Sequence, residues 1–166
     1  MSKFRVFGFI PARMGSTRLP GKALIKIFKN TLTEEVYLNS LKFKKWSSLT
    51  VAICDNEIKN FLKRKNIPYI MTSKSHKRCL DRVCEAVEKN KKIKNNDIVV
   101  CIQGDEVMIN SNMIKKLIEP FKNKYCNSTI LTMKINEYSE YKDKNVVKLI
   151  LNNRNQVLIG SRSTLP

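Results

Sequence analysis

The sequence predicts an α/β protein with a mostly parallel sheet and flanking helices, and three observations predict it. Short apolar runs alternate with amphipathic helical patterns along the chain, which is typical of βαβ units. The chain has 166 residues, enough to bury a substantial core, so we expect one domain over residues 1–166. Its 42% hydrophobic content argues against a disordered protein.

Hydrophobic periodicity places the elements along the chain. It predicts strands over 4–10, 49–54, 67–71, 97–102, 128–135 and 146–151, and helices over 32–44, 56–65, 79–91 and 111–124. A last apolar segment, residues 157–159, is expected to lack the elements that would cover it. The sequence contains no internal repeat or long linker, so nothing in it divides the predicted domain.

The loop after the first strand is the most informative segment. A buried strand from Phe4 is predicted to end at Pro11, and the next residues combine cations, hydroxyl groups and glycines: Arg13, Gly15, Ser16, Thr17, Arg18, Gly21 and Lys22. Loops at the carboxyl ends of parallel strands present backbone N–H groups, and glycine and cations suit a polyphosphate. The loop therefore predicts a nucleoside triphosphate site, although it lacks the Walker A spacing. A solvated basic loop is the alternative in so basic a chain.

The same segment carries a family resemblance. The string Pro11-Ala12-Arg13-x-x-Ser16-Thr17-Arg18-Leu19-Pro20-Gly21-Lys22 resembles the nucleotide-binding signature of sugar cytidylyltransferases, most closely the 3-deoxy-manno-octulosonate (Kdo) group. The resemblance implies a Rossmann-like nucleotide-diphospho-sugar transferase fold and a loop that wraps the triphosphate of CTP. It implies that Arg13 and Lys22 are catalytic and contact phosphates. The remaining nucleotide-binding residues of the loop would be Pro11, Ala12, Gly15, Ser16, Thr17 and Arg18.

A second motif follows the strand predicted at 97–102. The turn after it carries Asp105 and Glu106 at the same sheet edge, and Mg²⁺ prefers carboxylate together with phosphate oxygens. An acidic helix-capping turn is the alternative. The string Gln103-Gly104-Asp105-Glu106 resembles the family's Q-G-D-E-P motif, with Val107 in place of Pro. The resemblance implies that Asp105 is catalytic and binds Mg²⁺, and that Gln103 contacts nucleotide or sugar.

A third segment, His76-Lys77-Arg78-Cys79-Leu80-Asp81-Arg82, is similar to the family's H-x-S-G-T-[DE]-R loop, which helps recognise cytosine. Ser-Gly-Thr is replaced by Arg78-Cys79-Leu80, and Leu80-Asp81-Arg82 resembles the spore-coat polysaccharide type of the same superfamily. We assign Arg78 to the nucleotide-binding set. His76 as a surface histidine and Asp81-Arg82 as an ordinary helix first turn are the alternatives.

The resemblance resumes near the carboxyl terminus. Residues 145–151 are similar to the family's N-x-V-K-V-V strand and residues 160–166 to its F-S-R-[AS]-x-[IL]-P segment. This implies that Arg162 binds the sugar acid. Family members continue beyond the equivalent of Pro166 with most of the sugar pocket, a second Mg²⁺-binding Asp and the dimer surface. The chain is therefore expected to lack the family's carboxyl-terminal third, and a homodimer is expected for the full-length family.

Net charge, hydropathy and cysteine content argue against other classes of protein. A net charge of +18 favours contact with nucleic acid or an anionic membrane, but the lysines fall mostly on predicted helix exteriors without an RNA-binding aromatic motif. We therefore expect no specific nucleic-acid partner. No apolar run is long enough to span a membrane, and no signal peptide is recognised. The five cysteines lack C-x-x-C spacing and indicate reduced core residues of a cytoplasmic protein.

These observations predict a cytidylyltransferase that uses CTP and Mg²⁺ to activate a Kdo-like 3-deoxy-2-ulosonic acid. The products would be a CMP-sugar and pyrophosphate, for lipopolysaccharide or surface-polysaccharide synthesis. The alternatives are a sialic-acid-like or spore-coat-type sugar substrate, a truncated inactive nucleotide-binding module, and a basic nucleic-acid-binding domain.

Overall fold

The chain divides into two compact units, Met1–Thr129 and Ile130–Pro166. The computed structural model describes residues 4–16, 19–123 and 125–165. The strands are β1 Val6–Pro11, β2 Lys26–Ile27, β3 Asn30–Thr31, β4 Ser48–Ile53, β5 Tyr69–Met71, β6 Ile98–Cys101, β7 Lys148–Leu151 and β8 Val157–Ser161. The α-helices are α1 Leu32–Leu41, α2 Asn56–Arg64, α3 Cys79–Lys89, α4 Ser111–Ile118 and α5 Tyr138–Lys142. The single domain expected from the sequence stays a prediction.

The first unit is built on a parallel sheet with strand order β5-β4-β1-β6. All six residues of β1 are buried because both faces of the sheet are covered. Phe7 and Phe9 pack with Val83 and Ala86 of α3 on one face. The other face packs against residues of α1, α2 and α4. The predicted α/β class with a mostly parallel sheet is confirmed.

Local sequence signals explain where the helices begin. Thr31 precedes α1, and its side-chain oxygen accepts a hydrogen bond from the Glu34 backbone N–H at 3.3 Å, as a Thr-x-x-Glu cap predicts. Ile58 and Leu62, four residues apart, form the buried face of α2. Asn110 caps α4 by accepting from the backbone N–H groups of Asn112 and Met113. The caps fix the ends of the loops that precede these helices.

Several predicted elements need correction. The strand predicted at 128–135 is wrong, because this segment lies outside regular structure and exposes Ile130 and Met133. In the described part of the chain this segment pairs with no strand of any sheet. The predicted helices 32–44 and 111–124 end earlier, at Leu41 and Ile118, and a 3₁₀ turn follows the second one over Glu119–Lys122.

The second unit contains α5 and the antiparallel β7–β8 ribbon. Residues 157–160 of β8 are exposed, in line with the expectation that 157–159 lack cover. Lys148 of β7 is buried, and its ammonium group donates to the carbonyl oxygens of Asp143, Val146 and Arg162 at 2.6, 3.0 and 2.7 Å. Two of these hydrogen bonds tie β7 to the turn that precedes it, and the third ties it to the residue that follows β8.

All five cysteines are free thiols. Cys54 is buried, Cys84 is exposed, and the other three lie between, so the prediction of core cysteines is wrong for Cys84 because it falls on the solvent side of α3. None of the described helices is both long enough and apolar enough to cross a bilayer.

Candidate functional site

A cavity of about 300 Å³ opens at the carboxyl-terminal edge of the parallel sheet. Its lining comes from the loops that follow β1, β5 and β6, within residues 11–23, 76–82 and 103–105, together with Leu32. Because parallel strands place their carboxyl ends at one edge, segments far apart in sequence meet here. Every lining residue belongs to the first unit.

The first loop is held by one hydrogen bond to Asp55 and by one within its own backbone. The Met14 N–H donates to Asp55 Oδ2 at 2.9 Å, and the Gly21 N–H donates to the Met14 carbonyl oxygen at 3.0 Å. Gly21 has φ 72°, a left-handed conformation that glycine adopts without strain. This closure returns Lys22 to the cavity, where it opens a short 3₁₀ turn over Lys22–Leu24.

The loop after β6 lies directly against the end of β1. A Cβ atom on Gly104 would stand 2.4 Å from the Pro11 carbonyl oxygen, so only glycine fits without a backbone shift. This approach places Gln103 and Asp105 on the cavity wall. The Lys22 ammonium group lies 2.6 Å from Asp105 Oδ2, and both side chains are partly exposed. An exposed pair of this kind contributes little stability, so a charged ligand can displace it at small cost.

The loop after β5 completes the wall. His76, Lys77, Arg78 and Cys79 line the cavity, together with Arg82 of α3. Arg13 Nη1 donates to the His76 carbonyl oxygen at 3.4 Å, which connects this loop to the first one. Asp81 lies in the first turn of α3, as the alternative interpretation held, whereas Arg82 is buried.

The charges around the cavity are strongly unbalanced. Among the described lining residues, five are cations (Arg13, Lys22, Lys77, Arg78 and Arg82) and one, Asp105, is a carboxylate. Converging cations with exposed backbone groups suit a ligand with several phosphate oxygens. The arrangement therefore fits a polyphosphate better than a neutral ligand.

The thiol of Cys101 lies at the end of β6, two residues before Gln103 of the cavity wall. Burial raises the pKa of the Cys101 thiol to about 12, and the neighbouring thiols of Cys79 and Cys84 act in the same direction. Cys101 therefore stays protonated at neutral pH and is a poor nucleophile.

Most of the predicted site residues meet at this cavity. Its lining includes Pro11, Ala12, Arg13, Ser16, Lys22, Arg78, Gln103 and Asp105. Gly15 lies in the first loop but not on the lining, and Thr17 and Arg18 lie outside the described residues. Arg162 belongs to the second unit, where its Nη1 donates to the carbonyl oxygens of Lys144 and Asn145 at 3.3 and 3.0 Å.

The cavity lining also includes His76, Lys77, Cys79 and Arg82, which are not among the predicted site residues. Arg82 was available from the Asp81-Arg82 motif, but its burial depends on how α3 is rotated against the sheet. Lys77 and Cys79 carry no signal of their own, because the sequence predicts a solvated lysine and a core cysteine at these positions. They reach the wall because the loop that holds them does.

The described residues contain no cluster of three or more His, Cys, Asp or Glu side chains that could hold a metal ion alone. Asp105 supplies one exposed carboxylate beside the cationic cavity. Mg²⁺ is commonly held by one or two carboxylates together with phosphate oxygens and water. The donor set therefore fits a Mg²⁺ ion that arrives with a polyphosphate.

Comparison with known proteins agrees with the motifs. Residues 7–166 match the family model described as Cytidylyltransferase. The chain is 36% identical over 160 residues to 3-deoxy-manno-octulosonate cytidylyltransferase of Lawsonia intracellularis, covering 96% of this chain and 62% of that protein. The protein of the same name from Fusobacterium nucleatum is 38% identical over 163 residues, covering 98% and 65%. The chain thus spans less than two-thirds of the length of these curated relatives.

Solved structures share the fold. CMP:2-keto-3-deoxy-manno-octonic acid synthetase complexed with CTP has a TM-score of 0.83 at 27% identity, covering 98% of this chain and 66% of that one. A 4-diphosphocytidyl-2C-methyl-D-erythritol synthase has a TM-score of 0.66 at 13% identity, covering 96% and 69%. The second likeness, at so low an identity, shows the fold alone.

Proposed function

The chain belongs to the cytidylyltransferase family, and from this premise we propose that it binds CTP with Mg²⁺ at the sheet-edge cavity. The observation that carries the proposal is the set of five lining cations, one of which, Lys22, pairs with Asp105. A polyphosphate with a divalent cation satisfies both halves of this arrangement. The phosphates bind the lining cations, and the metal ion binds the carboxylate of Asp105.

The reaction that we propose is transfer of CMP to a Kdo-like 3-deoxy-2-ulosonic acid. The anomeric hydroxyl oxygen of the sugar forms a bond to the α-phosphorus of CTP, and the hydroxyl proton is released to solvent. The bond from that phosphorus to the bridging oxygen breaks, and pyrophosphate leaves. Arg13 and Lys22 stabilise charge on the phosphate oxygens, and Gln103 orients the substrate.

Asp105 would hold the Mg²⁺ ion. When bound, the ion supplies screening of phosphate charge and stabilisation of the leaving pyrophosphate. Lys22 contributes a positive charge beside that of the ion, because its ammonium group lies next to the same carboxylate. Both side chains are partly exposed, so Lys22 can leave Asp105 for a phosphate oxygen when the ion takes the carboxylate.

The choice of sugar is supported by the names of the relatives from Lawsonia intracellularis and Fusobacterium nucleatum. The role of Arg162 in sugar binding, the cytoplasmic location, the use in lipopolysaccharide synthesis and the homodimer of the full-length family are part of the same proposal. A sialic-acid-like or spore-coat-type sugar is the alternative within the family.

Thermal unfolding with nucleotides tests the binding step. CTP with MgCl₂ is expected to raise the Tm, because a ligand that binds only the folded state stabilises it by mass action. CTP should exceed ATP and GTP at equal concentration. Equal shifts with all three nucleotides would contradict the cytidine assignment, and no shift with any would contradict the nucleotide site.

Asp105→Asn tests the metal ligand. The variant is expected to keep its Tm without nucleotide, since the side chain is exposed, and to lose most of the Mg²⁺-dependent gain in CTP affinity. Glu106→Gln is the matched control, because it removes one charge from the next residue of the same turn. If both variants lose the Mg²⁺ effect equally, Asp105 is not a specific ligand. Pyrophosphate release in the presence of CTP, MgCl₂ and Kdo then tests the transfer step.

A further inference from the structure

Helix α3 presents three polar side chains to the loop that follows β5. Arg82, Glu85 and Lys89 are spaced by three and four residues, so they lie along one side of the helix. Lys89 Nζ donates to the Met71 carbonyl oxygen, the last of β5, at 3.0 Å. The other two residues bond to the loop itself.

Arg82 fixes the beginning of this loop from inside the protein. It is only 2% exposed, and its Nη1 donates to Thr72 Oγ1 at 2.5 Å and to the Ser73 carbonyl oxygen at 3.2 Å. Within the described residues no carboxylate forms an ion pair with it, and its Nη2 has no hydrogen-bond partner. A buried cation without a counter-charge is costly, so stability alone does not account for it.

Glu85 fixes the same loop one turn further along. Its Oε2 accepts from the Ser73 N–H at 2.8 Å and also bonds to His76 Nε2, while its Oε1 lies 2.6 Å from Lys89 Nζ. The hydrogen bond from Lys89, with those from Ser73 and His76, lowers the pKa of Glu85 to about 2. The carboxylate is therefore charged at neutral pH and accepts all three bonds at once.

The loop after β5 also contacts Arg13, a cation on the cavity wall. The His76 carbonyl oxygen accepts from Arg13 Nη1 at 3.4 Å. Arg13 is exposed at the cavity. Within the described residues, its guanidinium makes this hydrogen bond to the loop. A shift of His76 would move the acceptor to which Arg13 is bound.

We propose that Arg82 and Glu85 form a clamp that positions Arg13 for the nucleotide through the loop from Thr72 to His76. The inference rests on the proposed function, since it gives these two residues a role in the same site. Glu85 is not among the described residues that line the cavity, so it acts as a positioning residue whose effect on CTP binding passes through Arg13. Arg82 lines the cavity as well as holding the loop, so the part of its effect that passes through Arg13 is added to its own place on the wall.

The sign of a charge change separates positioning from simple electrostatics. Glu85→Gln removes a negative charge near an anion site, so Coulomb attraction alone would make CTP bind more tightly. A positioning role predicts the opposite, a loss of CTP affinity of about tenfold, within the range of coupling between residues of one network. Glu88→Gln is the matched control, because Glu88 is an exposed carboxylate on the same helix.

A double-mutant cycle gives the decisive measurement. CTP with MgCl₂ is titrated calorimetrically into wild type, Glu85→Gln, Arg13→Met and the double variant, with circular dichroism confirming that each is folded. The loss from Glu85→Gln should largely vanish in the Arg13→Met background. Arg82→Lys, which keeps the charge but removes the guanidinium whose Nη1 donates to both Thr72 and Ser73, should weaken CTP binding in the same direction. An unchanged or tighter Kd for Glu85→Gln, an equal loss in both backgrounds, or an equal loss for Glu88→Gln would each overturn the proposal.

A ligand-free readout keeps this inference separate from the proposed function. The NMR signal of the Arg13 Nε–H group should move in Glu85→Gln and stay in place in Glu88→Gln. If wild type bound no CTP, the proposed function would fail, and the Arg13 signal would still decide the clamp. A signal that is indifferent to Glu85→Gln would overturn it.

Discussion

Each of the two units of the chain is stabilised by a different kind of interaction. In the first, apolar side chains fill both faces of the parallel sheet, and residues such as Phe9, Ile58 and Leu62 are fully buried. Among residues 130–165, all of them described, only Lys148 is buried, through an ammonium group that bonds three carbonyl oxygens. One unit has an apolar core, and the other has a polar one.

The difference shows that an apolar strand gains stability only from what covers it. β1 and β8 are both apolar, yet β1 is buried along its length whereas Leu158 of β8 is 62% exposed. Side chains that remain in water contribute little hydrophobic free energy. A two-stranded ribbon is marginal on its own, so the hydrogen bonds of Lys148 matter more to the second unit than any single apolar residue.

A matched pair of leucine truncations tests this contrast most strongly. Leu62→Ala is expected to lower the free energy of unfolding by about 2–5 kcal/mol, because it leaves a cavity in the core. Leu158→Ala should change it by less than about 0.5 kcal/mol, because the side chain is already in water. Urea denaturation measures both. A comparable loss for Leu158→Ala would mean that the β8 surface is covered in solution.

A pair of glycine substitutions gives the next largest effect. Gly104→Ala is expected to cost about 1–3 kcal/mol, because its Cβ meets backbone, the Pro11 carbonyl oxygen. Gly160→Ala should cost clearly less, because its Cβ would lie 3.1 Å from Leu149 Cδ2, at the end of a side chain that can rotate away. The same denaturation assay applies. Equal costs would show that the turn after β6 adapts as readily as the ribbon does.

The fold of the first unit was largely predictable. Apolar runs separated by amphipathic helices determine β1, β4, β5, β6 and α1 to α4, because a parallel sheet buries whole runs and short loops leave few alternatives. The two-residue strands β2 and β3 are too short to give a periodic signal. The false strand at 128–135 shares the pattern of a real one, and pattern alone does not reveal whether a neighbouring strand exists.

The candidate site was predictable to the level of its loops. Arg13, Lys22, Gln103 and Asp105 follow strands whose carboxyl ends share an edge, so their meeting follows from topology. The contacts of Arg82 and Glu85 were not predictable in this way. They depend on the rotation of α3 about its axis and on the path of the loop after β5, and both are set by packing.

The turns of the two hairpins allow a smaller test of the comparison. Phe28, between β2 and β3, has φ 56° and is 97% exposed, whereas Asn155, between β7 and β8, has φ 58°. A left-handed backbone is unfavourable for phenylalanine and tolerated by asparagine. Phe28→Gly is therefore expected to raise the free energy of unfolding by about 1 kcal/mol. Asn155→Gly should change it little, and an equal gain in both would show that the residue type does not strain the turn.

The smallest expected effect is the pH dependence of Glu85. Its pKa is about 2 in the folded protein against an ordinary value of 4.5, so the stability it contributes is fully present above the higher value. That contribution is lost as the pH falls towards the lower one, because protonation removes the charge that holds Ser73, His76 and Lys89. Glu85→Gln should therefore lose less stability than Glu88→Gln between these two pH values. The side chain is partly exposed, at 19%, so solvent screening keeps the difference small. Urea midpoints followed across the window measure it, and parallel curves for the two variants would show that the charge of Glu85 does not stabilise the loop.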